Sequence, residues 1–395
     1  MLRRRLPLIV ATALIAAAST AGAHGVEVPP AAQTPLSIDG TLAGAGTTYG
    51  LVLQQNGDWR WTPEETLEAD RIHDWRLVDG GERVLAATSR GLLSTTNGGC
   101  TWGSASPLIG SRTVTDLAAG PEGLLASTES GGRTNGVYQS TDGGESWSLT
   151  DLSGAHLLLQ RVVASGEAAW AAGYDRGARR HRVWWSDDGG QTWQPAGGDL
   201  ADWSDIRLLG AADGGVLLGH RRGEQWVVSR TDRRLAAPRQ LARLAAEPAR
   251  ALPAASATDD IYLRRVDGES LRVSDGKTAQ VLDRTECLAP IDDHPMACRS
   301  VVASDHHLAP LLQASDRPPK IPFRAVRPRD CPEETAGAQL IPRIWPTLRQ
   351  QGVGPTPSSP APPDRGCGCR ATSRPRPTPA LLLLIPLLLS RRYRS

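Results

Sequence analysis

The apolar positions of this chain follow three different patterns. Over residues 6–18 they are nearly continuous, behind a basic Arg3-Arg4-Arg5 start and ahead of the small residues Ala21-Gly22-Ala23. Through the long middle they come in strand-length runs cut by turns rich in Gly, Asp and Asn, which predicts β structure. Over residues 380–389 they are continuous again, broken at Pro386 and followed by Arg391, Arg392 and Arg394.

The middle runs recur at a fixed interval. Aligned on Trp, the segments 50–61, 91–102, 136–147 and 182–193 end 41, 45 and 46 residues apart. Fainter copies at 225–229 and 270–276 carry the spacing on, with Ser229 lying 43 residues beyond Ser186 and Ser274 another 45 beyond that. In the clearest unit, 113–150, four strands are expected at 113–118, 124–127, 137–140 and 146–149. The turn at Asp142-Gly143-Gly144 has a mechanism: glycines supply positive φ, and a short acidic side chain accepts from backbone N–H groups across the turn. Trp has an apolar face and one N–H, so it can bury itself beneath such a turn.

These segments match the pattern [ST]-x-[DN]-x-G-x-[ST]-W at Thr95, Asn97, Gly99, Thr101 and Trp102; at Ser140, Asp142, Gly144, Ser146 and Trp147; and at Ser186, Asp188, Gly190, Thr192 and Trp193. The copy ending at Trp61 is degenerate, with Asp58 where Gly belongs. The chain thus resembles the Asp-box (BNR repeat) family of sialidases, sortilin-type receptors and photosystem assembly-factor-like propellers. The resemblance implies an all-β, Asp-box β-propeller in which the boxes hold hairpins at the rim and carry no catalysis. Units of this length with four strands are propeller blades. Six blades follow if the hairpin at 47–61 completes a blade begun by strands within 297–312; seven follow if 321–326 and 339–344 build another.

The ends define the remaining organisation. Residues 1–23 read as a secretory signal peptide, the propeller spans 24–345, and 346–366 is a Pro-rich linker. Residues 367–395 hold Cys367-Gly368-Cys369, the short apolar run and the Arg cluster. This layout resembles the MYXO-CTERM sorting signal, which implies processing near Cys367 and Cys369 and retention at the cell surface or outer membrane. The expected partners are then the export and sorting machinery, with the membrane touched only through the tail.

Composition narrows the chemistry. A formal charge of +2 with 40% hydrophobic residues leaves no field to recruit nucleic acid. Twelve Trp stand against one Phe, an excess that the repeated hairpins account for. A sialidase would need three converging arginines, an acid/base Asp and a Tyr with a Glu partner, and the [FY]-R-I-P motif expected near the start of such a propeller is absent. Glu64, Glu65, Glu68 and Asp70 read as a charged loop. Asp292, Asp293, His294, Asp305, His306 and His307 lack metal-ligand spacing, so no metal and no cofactor is expected. The arginines at 221, 222, 230, 233, 234, 239, 243 and 250 read as a solvated face.

Setting aside the tail leaves Cys100, Cys287, Cys298 and Cys331. Cys287 with Cys298 is the local pairing, whereas a pairing of either with Cys331 would tie the last segment to the propeller. The sequence therefore favours an exported, surface-retained propeller that binds a glycan or protein at its face without catalysis. The alternatives are a sialidase-like glycoside hydrolase and an assembly factor resembling the photosystem-type propellers.

Overall fold

The computed structural model describes residues 32–355 apart from 198–199, 201–202, 213, 254–259, 283–284, 292–293, 300–306 and 311–320. Within these the chain builds seven antiparallel sheets in sequence order, over residues 32–63, 72–104, 114–154, 157–195, 204–244, 248–282 and 285–310. Their first strands are Ala32–Ile38, Ile72–Val78, Val114–Gly120, Leu157–Ser165, Ser204–Ala212, Pro248–Pro253 and Thr285–Ile291. Each of these strands touches the next, and Thr285–Ile291 touches Ala32–Ile38. The sheets therefore form a closed ring with their first strands innermost, which is a β-propeller.

The core lies between sheets rather than within one. Each junction has its own apolar cluster. Trp75 packs with Leu36 and Leu51 between the first and second sheets, and Tyr138 and Trp147 pack with Leu85 between the second and third. Trp184 and Trp193 fill the next junction, Trp185 and Leu208 the one after, and Trp226 with Leu263 the fifth. Tyr262 with Leu288 and Ala297 fills the sixth, and Val52 and Trp61 meet Cys287 and Cys298 where the seventh sheet returns to the first. A strand covered on both faces loses its polar alternation. Arg83–Thr88, Ala168–Asp175 and Gly215–Arg222 are such strands, and they read as near-continuous runs of Ala, Val, Leu and Gly.

Closure differs from the six-blade expectation. The hairpin at 50–63 follows its own two strands, Ala32–Ile38 and Thr41–Thr47, so it completes the first sheet rather than the last. Residues 285–310 form a separate sheet of three described strands. The proposed extra sheet is also absent, since Phe323–Ala325 is a 3-10 turn and 339–344 lie inside helix α1 (Ala336–Gln350).

The C-terminal segment is instead a clasp. Arg327–Pro328 adds a fifth strand to the first sheet, parallel to Asp58–Pro63, and Arg329 N–H donates to the Trp61 carbonyl at 2.9 Å. Helix α1 starts at Thr335, whose hydroxyl accepts from Ala338 N–H at 3.3 Å. It crosses residue 345, where the linker was expected to begin. Ile341 and Leu348 of α1 are buried against Trp61, and Trp345 packs on Trp61 with its ring tilted by 32°, at 5.6 Å between centroids. Its two prolines, Pro342 and Pro346, face outward, away from that contact.

Two disulfides complete the frame: Cys287–Cys298 between adjacent strands of the seventh sheet, and Cys100–Cys331 across 231 residues. The second joins the clasp to the second sheet, with Gly337 N–H donating to the Cys100 carbonyl at 3.1 Å. Gly337 has no room for a larger residue, because a Cβ there would stand 2.7 Å from the Cys331 sulfur. The local pairing expected from the sequence, Cys287 with Cys298, is the one formed across the strand pair; the alternative of joining either to Cys331 does not hold, because Cys331 pairs with the distant Cys100. No described helix is long and apolar enough to cross a membrane. The segments expected as signal peptide, Pro-rich linker and sorting tail, with Cys367 and Cys369, fall wholly or mostly outside the described residues.

Candidate functional site

The three repeated turns and the inner channel are separate places. In the turns the polar side chains are consumed locally. Ser140 donates its hydroxyl proton to Asp142 at 2.8 Å and accepts from Gly144 N–H at 2.8 Å, while Ser146 N–H donates to Asp142 at 2.9 Å. The Ser186, Asp188, Gly190 and Thr192 turn repeats this at 2.7, 2.8 and 3.0 Å. Thr95, Asn97, Gly99 and Thr101 do so at 2.8, 3.0 and 3.1 Å. Gly99, Gly144 and Gly190 stand at φ of 93°, 90° and 96°, a region that L side chains enter only with strain.

The indoles close the turns in two ways. Trp147 and Trp193 donate to the Gly144 and Gly190 carbonyls at 3.1 and 2.8 Å. Trp102 reaches instead to the Thr66 hydroxyl of the preceding connection at 3.0 Å. The degenerate copy is a two-residue hairpin with Asn56 and Gly57 at φ of 51° and 86°. Ser146 holds the Asp142 carboxyl down at about 2 through its hydroxyl and its N–H. Asp188 is likewise lowered, by Thr192 and Ser186, in spite of some burial. Among the described residues, no cluster of His, Cys, Asp and Glu is arranged to hold a metal ion. Asp305 and His306 lie outside the described residues, as do Asp292 and Asp293.

A cavity of about 320 Å³ lies inside the ring, lined by Thr34, Asp74, Asp116, Arg161, Arg250 and Arg264 among others. Asp74, Asp116 and Arg250 come from the early part of a first strand and Arg161 from the middle of one, whereas Arg264 stands opposite Arg250 on the neighbouring strand. In the second sheet Ile72 pairs with Thr88 and Val84 with Thr95, so the start of the first strand and the Asn97 turn are at opposite ends. The third sheet repeats this with Val114 at one end and the Asp142 turn at the other. The cavity therefore faces the end of the ring away from the turns.

Arg161 lies 3.7 Å from Asp116 and Arg76 lies 3.7 Å from Asp74, distances too long for full hydrogen bonds. Arg161 donates to the Ala249 carbonyl at 3.0 Å, and Arg264 to the Thr285 carbonyl at 2.7 Å. Burial pushes the Asp116 carboxyl up to about 6; Arg161 pulls it down, Asp74 pushes it further up, and Val162 N–H stabilises its anion. Burial likewise lowers Arg161 to about 10, with Arg250 adding to the effect. Burial and Arg71 lower His73, whose Nε2 has no partner.

Three arginines thus converge on the channel, and among the described residues no Tyr or Glu lines it. Tyr138 and Tyr262 are each 1% exposed within the junction clusters. Of the arginines read as a solvated face, Arg250 enters the channel, while Arg233 meets Glu167 at 3.4 Å and Arg234 meets Asp187 at 3.5 Å elsewhere. Glu64 and Glu65 begin a 3-10 turn, Glu64–Leu67, rather than an open loop.

The sequence reading passed over Asp74, Asp116, Arg161 and Arg264. A signal for three of them exists: Asp74, Asp116 and Arg161 precede the Trp of their own sheets, Trp102, Trp147 and Trp193, by 28, 31 and 32 residues (102 − 74, 147 − 116, 193 − 161). Extending the Trp alignment upstream would have placed a charge at one level of three successive first strands.

No protein-family model matches the chain, and no curated protein matches it. Among solved structures, YCF48 bound to a D1 peptide is 15% identical, over 57% of this chain and 74% of that one, with a TM-score of 0.39. The Dos1 propeller is 11% identical over 68% and 73%, with a TM-score of 0.39. A prolyl endopeptidase is 13% identical over 73% of this chain and 49% of that one, with a TM-score of 0.49. The propeller reading of this chain rests on its own closed ring of sheets.

Proposed function

We propose that the chain is an exported, surface-retained, seven-bladed Asp-box propeller that binds a glycan or protein ligand at its face without chemistry of its own. The observation that carries this reading is the inner cavity, where a cluster of arginines meets two aspartates and, among the described residues, neither Tyr nor Glu lines the wall. Glycoside hydrolysis of the sialidase type asks for a nucleophile and its activating partner beside the arginines, whereas binding asks only for charges and donors held in place. The boxes act as hairpin locks, and the two ends serve as leader and sorting tail. The second reading, a sialidase-like hydrolase, draws on the convergence of Arg161, Arg250 and Arg264.

The test is a fluorogenic sialoside assay run beside glycan and peptide arrays on the same purified protein. A ligand on either array without turnover supports the binding module. Turnover that is lost in Arg161→Gln and Arg264→Gln would replace it with the hydrolase. N-terminal sequencing and intact mass of the cell-associated protein, expected to begin near His24 and end near Cys367, test the export and sorting reading.

A further inference from the structure

The two walls of the central cavity carry opposite charge. Asp74 and Asp116 stand on the first strands of the second and third sheets, and Arg161, Arg250 and Arg264 face them from the fourth and sixth. Asp74 is 5% exposed, and its Oδ2 accepts no hydrogen bond, with the Arg76 guanidinium 3.7 Å away. Arg161 Nε lacks a hydrogen-bond partner and lies 3.7 Å from Asp116, and the half-buried Arg250 bears electrostatically on both of them. Asp74 and Arg250 line both this cavity and an adjoining one of about 110 Å³, so they stand where the two chambers meet.

A buried carboxylate oxygen without a donor is left without the hydrogen bond it had in water, and a ligand that brings the donor restores it. The arginines ask for the reverse, an acceptor, and guanidinium suits a carboxylate best. A simple anion satisfies the arginine wall but meets repulsion from Asp74, and a simple cation does the opposite. Only a ligand with both groups a few ångströms apart answers both walls. We propose that the cavity takes the head of a small zwitterion of the α-amino-acid kind, ammonium toward Asp74 and Asp116, carboxylate toward Arg161 and Arg250. This deepens the binding reading above and rests on it.

The test uses saturation-transfer NMR and calorimetry on the full chain with L-alanine, N-acetyl-L-alanine and L-alaninamide. L-Alanine is expected to bind at least tenfold tighter than either blocked form. Asp74→Asn is expected to abolish the preference for L-alanine over N-acetyl-L-alanine, and Arg250→Gln the preference over L-alaninamide. Should a variant fail to fold, the ranking of the three probes on the native chain decides by itself. Equal binding of N-acetyl-L-alanine overturns the zwitterion and leaves an anion site. No binding of any of the three, with a hit on the arrays, overturns it too while the binding module stands. Silence on probes and arrays alike removes both.

Discussion

At the scale of single residues, the turn carboxylates are anchors whose strength depends on their charge. Asp142 has a folded pKa of about 2 against an ordinary 3.8, because Ser146 and Ser140 hydrogen-bond to the ionised form. A depressed carboxyl contributes stability that is complete above its unfolded pKa and is lost as pH falls through the folded one. The window is therefore from about pH 4 down to about pH 2. Asp142→Asn keeps the shape and gives up the charge-assisted part, roughly 0.5–1 kcal/mol at so exposed a site. Urea unfolding at pH 7 is expected to show that deficit, and the gap to the native chain is expected to close between pH 4 and 2. A gap independent of pH would mean that the carboxylate charge plays no part.

Among the elements, helix α1 shows what the chain disclosed and what it hid. Ile341, Ile344, Trp345 and Leu348 stand at i, i+3, i+4 and i+7, an amphipathic stripe visible in the letters. Pro342 and Pro346 argue against a helix, and that local signal masked the stripe. Packing on Trp61 and the bond to Cys100 overrule it, and neither is local. The repeated hairpins were legible for the opposite reason: the hydrogen-bond partners of the Ser140 and Ser186 hydroxyls lie within four residues. The channel charges were not, because what brings Asp74, Asp116, Arg161 and Arg250 together is closure of the ring, and no local pattern encodes closure.

The same helix touches the turn Glu64–Leu67, which opens on a carboxyl raised well above its ordinary range. Burial, and then Glu65, raise Glu64 to about 7. An acid raised in the folded state costs nothing below its unfolded pKa, and its full penalty is in force above the folded one, here from about pH 4.5 to 7. Allowing for partial exposure, the penalty is on the order of 1–2 kcal/mol. Glu64→Gln is expected to raise the melting temperature at pH 8 and leave it unchanged at pH 4. An equal gain at both pH values would assign the effect to shape.

At the scale of the molecule, seven junctions each with its own core make a ring that holds only if the last junction holds. There the apolar cluster draws on the clasp as well as on the first and seventh sheets. Cys100–Cys331 closes a loop of 231 residues and Cys287–Cys298 one of 11. By the chain-entropy model these are worth about 5 and about 3 kcal/mol. Cys100→Ser with Cys331→Ser is therefore expected to lower denaturant stability more than loss of the shorter bridge does, and to expose α1 to limited proteolysis. If the shorter bridge proves the more costly, ring closure does not depend on the clasp.

The clasp also sets where load enters the ring. Tension applied to the chain just beyond Pro355 would travel through α1 to Cys331. From there it would pass by a covalent bond into the second sheet, and by Arg327–Pro328 into the edge of the first. The seventh sheet meets the clasp through apolar packing around Cys287 and Cys298, without a strand pairing or disulfide to it among the described residues. Parallel strands pulled along their length resist in shear, all bonds at once, so a tether drawn at this end tightens the seam between the first two sheets instead of peeling the ring from its last one.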